Sequence, residues 1–422
     1  MKFFYEQNQK INAERLTQPP YTLATLYQPE GYEWPGDFEG RLLLALACHA
    51  EMSEKPMPSL PKLLDYLRKK VGNQGYFGKP FNPEKIDEQQ LAGHSGYLRG
   101  LLAYQKLYHD QVSYALLRQA IETLYLPALS HYQSYPKKRG LPSGGAAIGS
   151  LAQNEQGWFL SSDVGCAFVP LDGLASTYQF THDERLKPFL EQAIGVFLSL
   201  DPLALQMQTH ATLTALRGLL TFYETTKEER YLQAVKEGFD LYQKKGMTAT
   251  YENYNWFGRE NDRIWTEPCA VVDSFLLASR LYRLTGQENY RQLARRIFYN
   301  GLQFCLRPNG GAGPNTCVDE KSPFLSVSLY EAYWCCTMCY AEGLLCANRY
   351  GNLLGLGEDE NSAHQEGNRY FAGDHLLVED SHHVFPDELP LYFEGKTLIR
   401  IPNLTKLSEK KCKEASLQVL FH

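Results

Sequence analysis

Apolar residues recur along this chain at intervals of three and four positions, the spacing of one face of an α-helix. A recurring pattern combines an apolar helical run ending in Tyr, a short polar turn and a second helix. It is found at 173–186, 218–231 and 277–290, with a weaker copy at 100–110. Thr or Asp stands in each turn, and both favour helix starts. The pattern therefore predicts a series of helical hairpins.

Stacked helical hairpins form either an open solenoid or a closed ring. Here the copies are separated by about 45–75 residues, and Gly- and aromatic-rich inserts lie between them. An open solenoid usually repeats more strictly. The varied spacing favours an all-α fold, a closed α/α barrel over residues 1–347 with functional loops at one end.

The pattern changes after Ala347. Residues 351–368 are rich in Gly, Asp and Asn, which is typical of a loop or linker. Short runs at 375–378, 391–393 and 397–401 have the composition of strands. We therefore expect residues 348–422 to form a short β-rich C-terminal segment, either a truncated sandwich or a smaller β unit, that packs on the helical body.

Composition narrows the function classes. The 422 residues are 44% hydrophobic and 21% charged, as in ordinary soluble proteins, and the net charge of −6 argues against a nucleic-acid partner. No stretch approaches the ~20 apolar residues of a membrane span. The N-terminal residues turn polar too early for a signal peptide, so we expect a cytoplasmic protein without membrane association. Ten cysteines in such a chain do not indicate a disulfide framework.

A first chemical motif is the segment Trp265–Ala270. Thr266 is a natural N-cap and Pro268 fits a first helical turn, so Glu267 and Cys269 are expected at the start of a helix. The helix dipole favours anions there and lowers the pKa of a thiol. A capping glutamate beside a buried cysteine is the simpler interpretation.

A second motif, Glu331–Tyr340, contains adjacent cysteines, Cys335 and Cys336, before a helix whose expected N-cap is Thr337. Adjacent cysteines form a vicinal disulfide, pack inertly or bind a soft metal as thiolates. With Glu267 and Cys269 they make a Cys₃Glu set that suits tetrahedral Zn²⁺ and argues against Mg²⁺ or Ca²⁺. Cys339 completes a CxxC with Cys336 and is a rival ligand or redox partner.

A third motif, 248–258, is polar and aromatic and is predicted to be a loop. Glu252 is its one carboxylate, and its aromatic neighbours are suited to desolvating a catalytic acid. A surface-loop glutamate is the alternative. All five tryptophans fall in loop-like segments, which suggests a cleft lining, although tryptophans that anchor loops would show the same pattern.

Several segments resemble the bacterial β-L-arabinofuranosidase family, glycoside hydrolase family 127 in its broad sense. The Glu-x-Cys and Cys-Cys motifs are the specific part of this resemblance, which runs in order from about residue 34 to 347. The similar segments are Trp34–Arg41, Asp87–His94 with Leu98–Gly100, Leu160–Cys166, Gln208–Gly218, Tyr251–Gly258, Trp265–Cys269 and Glu331–Cys336.

The resemblance implies an (α/α)6 barrel, or toroid, that hydrolyses β-L-arabinofuranosides or related glycosides with retention. It implies Zn²⁺ ligands at Glu267, Cys269, Cys335 and Cys336, and makes Cys335 the nucleophile. It places the acid/base at Glu252, with Glu260 as a nearby competitor. Family members usually carry longer β-sandwich domains after the barrel than the 348–422 segment provides.

The resemblance also implies a carbohydrate substrate and residues that bind it. An isolated buried histidine usually belongs to the core, but the motif context favours sugar contacts. The residues expected to bind the substrate are His94, His210, Trp158, Asp163, Gln90 and Trp256.

Three other functions are compatible with these residues. One is a zinc-stabilised, non-catalytic carbohydrate-binding protein. Another is a metal-free α/α-barrel sugar epimerase or lyase that works through His94 and His210. The third is a redox protein that uses Cys335, Cys336 and Cys339. The identity of the sugar and the association state, including a homodimer, stay open.

Overall fold

A computed structural model describes residues 2–26, 34–138, 151–258, 265–315, 317 and 331–357, together with strand segments between 363 and 419. The helices in this part of the chain are α1 (Lys2–Arg15), α2 (Asp37–Ser53), α3 (Ser59–Val71), α4 (Glu88–Tyr108), α5 (Gln111–Ala120), α6 (Leu126–Ala128), α7 (Pro170–Thr181), α8 (Leu186–Leu198), α9 (Thr209–Thr226), α10 (Glu229–Lys245), α11 (Pro268–Thr285), α12 (Glu288–Ile297), α13 (Gln303–Cys305) and α14 (Cys336–Leu354).

Six helices form a closed inner ring. In order around the ring they are α2, α4, α7, α9, α11 and α14, and α14 packs against α2 to close it. A second helix packs outside each of them: α3 on α2, α5 on α4, α8 on α7, α10 on α9, α12 on α11 and α1 on α14. This is an (α/α)6 barrel, so the predicted fold class is confirmed, and the predicted hairpins correspond to consecutive inner and outer helices.

Inner and outer helices differ in how they are buried. The outer helix α10 buries one stripe, formed by Tyr231, Leu232, Val235, Phe239 and Tyr242. The inner helix α4, in contrast, is buried almost all round from Glu88 to Leu98. A stripe at helical spacing is the signature of a helix with one solvated face, which is why the outer helices carry the clearest periodicity in the sequence.

Glycines let the inner helices approach closely. A Cβ on Gly40 of α2 would lie 2.2 Å from the backbone nitrogen of Tyr97 in α4. A Cβ on Gly218 of α9 would lie 2.4 Å from the carbonyl carbon of Leu171 in α7. Both distances are far below van der Waals contact, so the ring diameter depends on these residues having no side chain.

Helix α1 is fastened to the segments around the start of α14. Asn12 Nδ2 donates to the carbonyl oxygens of Gly310 (2.8 Å) and Thr337 (3.3 Å). Glu331 accepts hydrogen bonds from Arg15 Nε (2.8 Å) and Tyr21 Oη (2.7 Å). These contacts join residues about 300 positions apart, and they hold the outer helix α1 over the last inner helix.

Nine short strands lie in the described residues: β1 (Ile86–Asp87), β2 (Leu151–Glu155), β3 (Trp158–Ser161), β4 (Ala363–Glu366), β5 (Arg369–Ala372), β6 (His375–Glu379), β7 (Leu391–Phe393), β8 (Thr397–Ile399) and β9 (Leu417–Val419). They form sheets of order β1-β3-β2, β4-β5-β6-β8 and β7-β9. The three strand-like runs predicted after residue 374 correspond to β6, β7 and β8. The division of the chain into two domains at residue 347 stays a prediction, and α14 itself ends at Leu354.

None of the described helices combines the length and the apolar composition needed to cross a bilayer.

Replacing Gly218 with Ala should separate α7 from α9, because its new Cβ meets backbone rather than a flexible side chain. We expect Gly218→Ala to lower the free energy of unfolding by about 1–3 kcal/mol. Gly195 of α8 is a matched control, since nothing lies within 4 Å of its Cβ position. Gly195→Ala should stabilise the protein by about 0.5–1 kcal/mol. Urea unfolding followed by far-UV circular dichroism measures the free energy of unfolding of both variants. A Gly218→Ala protein as stable as the parent would contradict the close packing of α7 and α9.

Candidate metal centre and active-site cleft

The inner helices all run in the same direction, so their N-termini meet at one end of the barrel. Helix α11 begins at Pro268 with Glu267 as N-cap, and α14 begins at Cys336 with Cys335 as N-cap. The location of Pro268 in a first turn is confirmed. The predicted N-caps Thr266 and Thr337 are wrong by one residue and two residues respectively.

The two threonines serve the neighbouring loop instead of capping helices. Thr266 Oγ1 accepts a hydrogen bond from the backbone N–H of Asn315 (2.9 Å), and Thr337 Oγ1 accepts one from that of Ala312 (3.0 Å). The loop at 312–315 is thereby tied to the starts of both α11 and α14. Glu267 and Cys335 consequently occupy the N-cap positions themselves.

Three sulfur atoms meet where α11 and α14 begin. Cys269 Sγ lies 3.7 Å from Cys336 Sγ, and Cys335 Sγ lies 3.4 Å from Cys336 Sγ. A disulfide requires about 2.05 Å, so neither pair is bonded. Tetrahedral Zn²⁺ with Zn–S bonds of about 2.3 Å places its sulfur ligands about 3.8 Å apart. The spacing of the three sulfurs therefore fits a shared metal ion.

Glu267 completes the donor set from the side of α11. Its carboxylate, His210 and Cys269 offer ligand atoms that lie within 4.8 Å of one another. Gln208 Nε2 donates to Glu267 Oε2 (2.6 Å), and the backbone N–H of Glu267 donates to Asn253 Oδ1 (2.9 Å). Both contacts fix the orientation of Glu267. His210 thus lies directly beside the predicted Cys₃Glu set.

Burial changes the thiol chemistry expected from the sequence. Cys269 is 1% exposed, and burial raises the pKa of its thiol well above the usual value. Removal from water thus outweighs the effect of the helix start, which by itself would lower the pKa. Burial also raises the pKa of Glu267, although the nearby His210 and Arg41 oppose the increase. A soft divalent cation is the kind of group that stabilises such donors in their anionic forms.

Arg41 of α2 supplies positive charge next to the sulfurs. Its Nη1 donates to Cys339 Sγ (2.6 Å), its Nε donates to Asp37 Oδ1 (2.6 Å), and its Nη2 lies 3.3 Å from His210 Nε2. The pKa of Cys339 is lowered, first by a hydrogen bond from Cys269 and then by the Arg41 charge. Cys339, which the sequence suggested as a rival ligand, is therefore engaged by a guanidinium group.

His210 is held by Asp273, one helical turn beyond Cys269. His210 Nδ1 lies 2.6 Å from Asp273 Oδ2, and Asp273 also accepts hydrogen bonds from Thr214 Oγ1 (2.9 Å) and Arg217 Nη1 (2.5 Å). Burial alone would lower the pKa of His210, but the Asp273 carboxylate outweighs it and raises the pKa to about 9. The Asp273 carboxylate therefore favours the protonated form of His210.

Asp273 and Arg41 are not among the site residues predicted from the sequence. Asp273 follows Cys269 by four positions, so it faces the same side of α11, and this spacing is a signal that helical periodicity contains. Glu342 follows Cys339 by three positions on α14 in the same way. No local signal connects Arg41 to the site, because it reaches Cys339 across 298 positions of chain.

Below this layer, four charged side chains fill the barrel axis. Arg217 Nη2 lies 3.0 Å from Glu342 Oε2 and 3.2 Å from Asp172 Oδ2, and Arg99 Nε lies 2.9 Å from Asp172 Oδ2. Arg99 also pairs with Glu342. Burial would raise the pKa of Glu342, but Arg99 and Arg217 outweigh it and lower the pKa to about 2. The network separates the sulfur end from a cavity of about 570 Å³ at the other end.

A cleft of about 390 Å³ opens over the sulfur atoms. Its lining comes from the starts of α9, α11 and α14 and from the loops before them: Gln208, Asn255, Trp256, Trp265, Thr266, Glu267, Pro268, Pro314, Ala332, Trp334, Cys335 and Cys336. The structure thus brings Trp256, expected to contact sugar, together with three of the four predicted metal ligands. Cys335 is partly exposed here, whereas Cys269 and Cys336 are buried.

Two residues expected to contact sugar lie in the protein interior. Trp158 is 0% exposed, and its indole N–H donates to the His131 carbonyl (3.2 Å). His94 is also buried, and both ring nitrogens are engaged, by the Phe77 N–H (2.8 Å) and the Gln90 carbonyl (2.6 Å). These contacts correct the expectation of direct sugar binding by Trp158 and His94, because no polar ring atom is left for a ligand.

Gln90 and Asp163 also lie away from the described cleft lining. Gln90 Nε2 donates to the carbonyl oxygens of Phe77 (3.1 Å) and Lys79 (2.7 Å), so it fastens this segment to α4. Asp163 is nearly buried in the turn after β3. Of the histidines and tryptophans expected to bind substrate, His210 lies by the metal ligands and Trp256 lies in the cleft.

Glu252 is completely buried behind the cleft. Its Oε1 accepts from Asn315 Nδ2 (2.6 Å) and its Oε2 accepts from Thr250 Oγ1 (2.9 Å). Its neighbour Asn253 contacts Glu267, so Glu252 belongs to the layer that supports the predicted metal ligands. The competing candidate, Glu260, lies outside the described residues.

No protein-family model matches the chain, and a search of curated proteins finds no match. Solved structures do resemble it. One, named "Glycoside hydrolase", has a TM-score of 0.54 and 12% identity and covers 88% of this chain and 61% of its own. A GH127 beta-arabinofuranosidase has a TM-score of 0.50 and 11% identity, with 92% and 62% covered. This chain therefore spans about three fifths of the length of these two proteins.

A cellobiose 2-epimerase from Bacillus thermoamylovorans B4167 has a TM-score of 0.56 and 13% identity, and covers 83% of this chain and 100% of its own. At identities this low, such similarity establishes the (α/α)6 fold and no more.

Replacing Glu342 with Gln should remove an acid-sensitive contribution to stability. The folded pKa of about 2 lies below the unfolded value of about 4.3, so Glu342 stabilises the fold fully above pH 4.3 and loses this effect as the pH falls towards 2. We expect Glu342→Gln to lower the free energy of unfolding by about 3 kcal/mol at pH 7, with the difference shrinking below pH 4.3. Urea unfolding across this pH range measures the effect.

The matched control for this prediction is Glu51→Gln. Glu51 pairs with Arg349 at an exposed position near the same cavity, where water screens the interaction. This variant should unfold like the parent protein at every pH tested. An equal loss of stability in both variants would contradict a special role for the buried network.

Proposed function

We propose that this protein is a retaining glycoside hydrolase that acts on β-L-arabinofuranosides or related glycosides through a cysteine nucleophile and Zn²⁺. The observation that carries the proposal is the cluster of Cys269, Cys335 and Cys336, whose sulfurs lie within 4.8 Å of one another, with Glu267 equally close to Cys269. Glu267, Cys335 and Cys336 also line an aromatic cleft. The (α/α)6 fold, shared with glycoside hydrolases, is compatible with this activity.

Zn²⁺ would be held by the three sulfurs and the Glu267 carboxylate. When bound, the ion would keep the cysteines as thiolates and lower their basicity. Gln208 and Asn253 orient Glu267 for this role by direct hydrogen bonds. Arg41 and His210 lie beside these donors. Positive charge on the two side chains would stabilise the thiolates and the carboxylate in their anionic forms.

Cys335 is the best placed nucleophile because it is the most accessible of the three sulfurs. In the first step its thiolate attacks the anomeric carbon, and the bond from that carbon to the leaving oxygen breaks. The leaving oxygen takes the electron pair and a proton from the acid/base residue. In the second step the same residue deprotonates water, which displaces the sulfur. Two inversions give net retention.

Glu252 is the proposed acid/base residue. It follows from the resemblance, and its place next to Asn253 links it to the Glu267 side of the cleft. The carboxylate can exchange protons with a substrate only after a rearrangement that releases it from Asn315 or Thr250. Glu260 remains the competing candidate, and substitution of each residue separates the two.

A sugar epimerase or lyase that works through His94 and His210 is less well supported by the geometry. Both ring nitrogens of His94 are hydrogen-bonded to backbone atoms, so it has no free position for proton transfer. A zinc-stabilised, non-catalytic sugar-binding protein would use the same ligands without turnover. Measurements of metal content and of turnover therefore address different parts of the proposal.

The metal can be tested without an activity assay. We expect the purified protein to contain about one Zn²⁺ per chain by inductively coupled plasma mass spectrometry, as one tetrahedral site requires. Cys269→Ala and Cys336→Ala should lose the metal. Cys48→Ala is the matched control, because Cys48 is a buried free cysteine far along α2 from the sulfur cluster. A parent protein purified and reconstituted with zinc that holds none would overturn the metal assignment.

Turnover tests the catalytic residues. An aryl β-L-arabinofuranoside should be cleaved by the parent protein, and Cys335→Ala should reduce kcat by at least about 1,000-fold because no nucleophile remains. Glu252→Gln should reduce kcat more than Glu260→Gln. With a substrate whose leaving group departs without protonation, Glu252→Gln should slow the first step less. Activity retained in Cys335→Ser with intact zinc would exclude Cys335 as nucleophile.

A further inference from the structure

The cleft over the sulfurs has walls and a floor of different chemistry. Trp256, Trp265, Trp334, Pro268, Pro314 and Ala332 contribute apolar surface to its lining. The ionisable side chains of the described lining are Glu267, Cys335 and Cys336, the proposed metal ligands. A ligand that reacts at Cys335 would therefore extend from a polar floor into an apolar surround.

Trp265 is the most exposed of the lining tryptophans. It is 44% exposed and immediately precedes the segment that leads into α11. A water-exposed indole face at the mouth of a cleft is suited to stacking against a flat apolar ligand. Trp334 is partly buried and packs edge-on against Tyr333, with 5.2 Å between ring centroids. That contact limits the orientations available to the Trp334 ring.

Several polar groups of the lining already have protein partners. Gln208 Nε2 donates to Glu267, and its Oε1 accepts from the Ala211 N–H (2.6 Å). Thr266 Oγ1 accepts from the Asn315 N–H. The upper cleft consequently offers a leaving group apolar contact in preference to hydrogen bonds. The described lining contains no lysine, arginine or histidine to pair with a charged leaving group.

We infer that Trp265 and Trp334 form a binding surface for the leaving group and select glycosides whose leaving group is flat, uncharged and apolar on at least one face. This inference rests on the proposed function for the reaction, but the surface itself depends on the lining alone. An aromatic ring and the C–H face of a second sugar share this chemistry. A charged leaving group would find no Lys, Arg or His in the described lining, and removing its charge from water there would be unfavourable.

Binding should be measured apart from turnover, by isothermal titration of Cys335→Ala with phenyl and methyl β-L-arabinofuranosides. We expect the phenyl glycoside to bind about tenfold more tightly, which corresponds to about 1.4 kcal/mol. Trp265→Ala and Trp334→Ala in this background should remove the preference and leave the methyl glycoside affinity unchanged. Trp265→Phe should retain most of the preference for the phenyl glycoside, because a flat ring remains. A 4-carboxyphenyl glycoside should bind less tightly than the phenyl compound.

Tyr108→Ala is the matched control, since Tyr108 is an exposed aromatic residue at the C-terminal end of α4, away from the cleft. It should retain the phenyl preference. Equal affinity for phenyl and methyl glycosides, or a phenyl preference unaffected by Trp265→Ala and Trp334→Ala, would overturn the inference. A β-linked disaccharide whose affinity falls with Trp265→Ala would identify a sugar face as an occupant of the same surface.

The two proposals fail in different ways. If the phenyl glycoside binds through Trp265 but the parent protein does not cleave it, the binding surface stands and the hydrolase proposal fails. If the parent cleaves phenyl and methyl glycosides with the same KM, and Trp265→Ala changes neither, the hydrolase proposal stands and the surface is refuted.

Discussion

The meeting of three sulfurs and a carboxylate at two adjacent helix starts is the constraint around which the upper barrel is arranged. Buried anionic donors are unfavourable without compensating charge. Positive charge comes from Arg41 on α2, and the Asp273 carboxylate raises the pKa of His210 on α9 so that its protonated form is favoured. Four inner helices therefore contribute to one electrostatic unit. The sulfur positions depend on the whole ring and not on the two cysteine segments alone.

The helical hairpins and the ring were predictable because they follow from local patterns. The stripes of the outer helices, such as Tyr231 and Val235 in α10, repeat at helical spacing and can be recognised without knowledge of the fold. The cysteine convergence was also predicted, since two motifs indicated the same donor chemistry. Helix starts were less accurate, because Thr266 and Thr337 bind a loop at 312–315 that the local sequence does not reveal.

Residues whose roles depend on distant partners were not predictable. Trp158 and Glu252 both occur in aromatic, loop-like segments, and nothing in those segments distinguishes a ring or carboxylate in a cleft from one packed inside. The structure decides this through Tyr132 and Tyr135, which pack on Trp158, and through Asn315, which binds Glu252 from 63 positions away. His94 was misassigned for the same reason, since its partner Phe77 lies in a different segment.

The fastening of α1 across α14 has a consequence for the order of assembly. Helix α14 is the last inner helix along the described chain, whereas its outer partner α1 precedes all the other described helices. Because some 300 residues separate the two helices along the chain, α1 is synthesised well before the surface of α14 on which it packs. Because Cys335 and Cys336 stand at the start of α14, the sulfur cluster forms only when α14 packs between α11 and α2 and closes the ring.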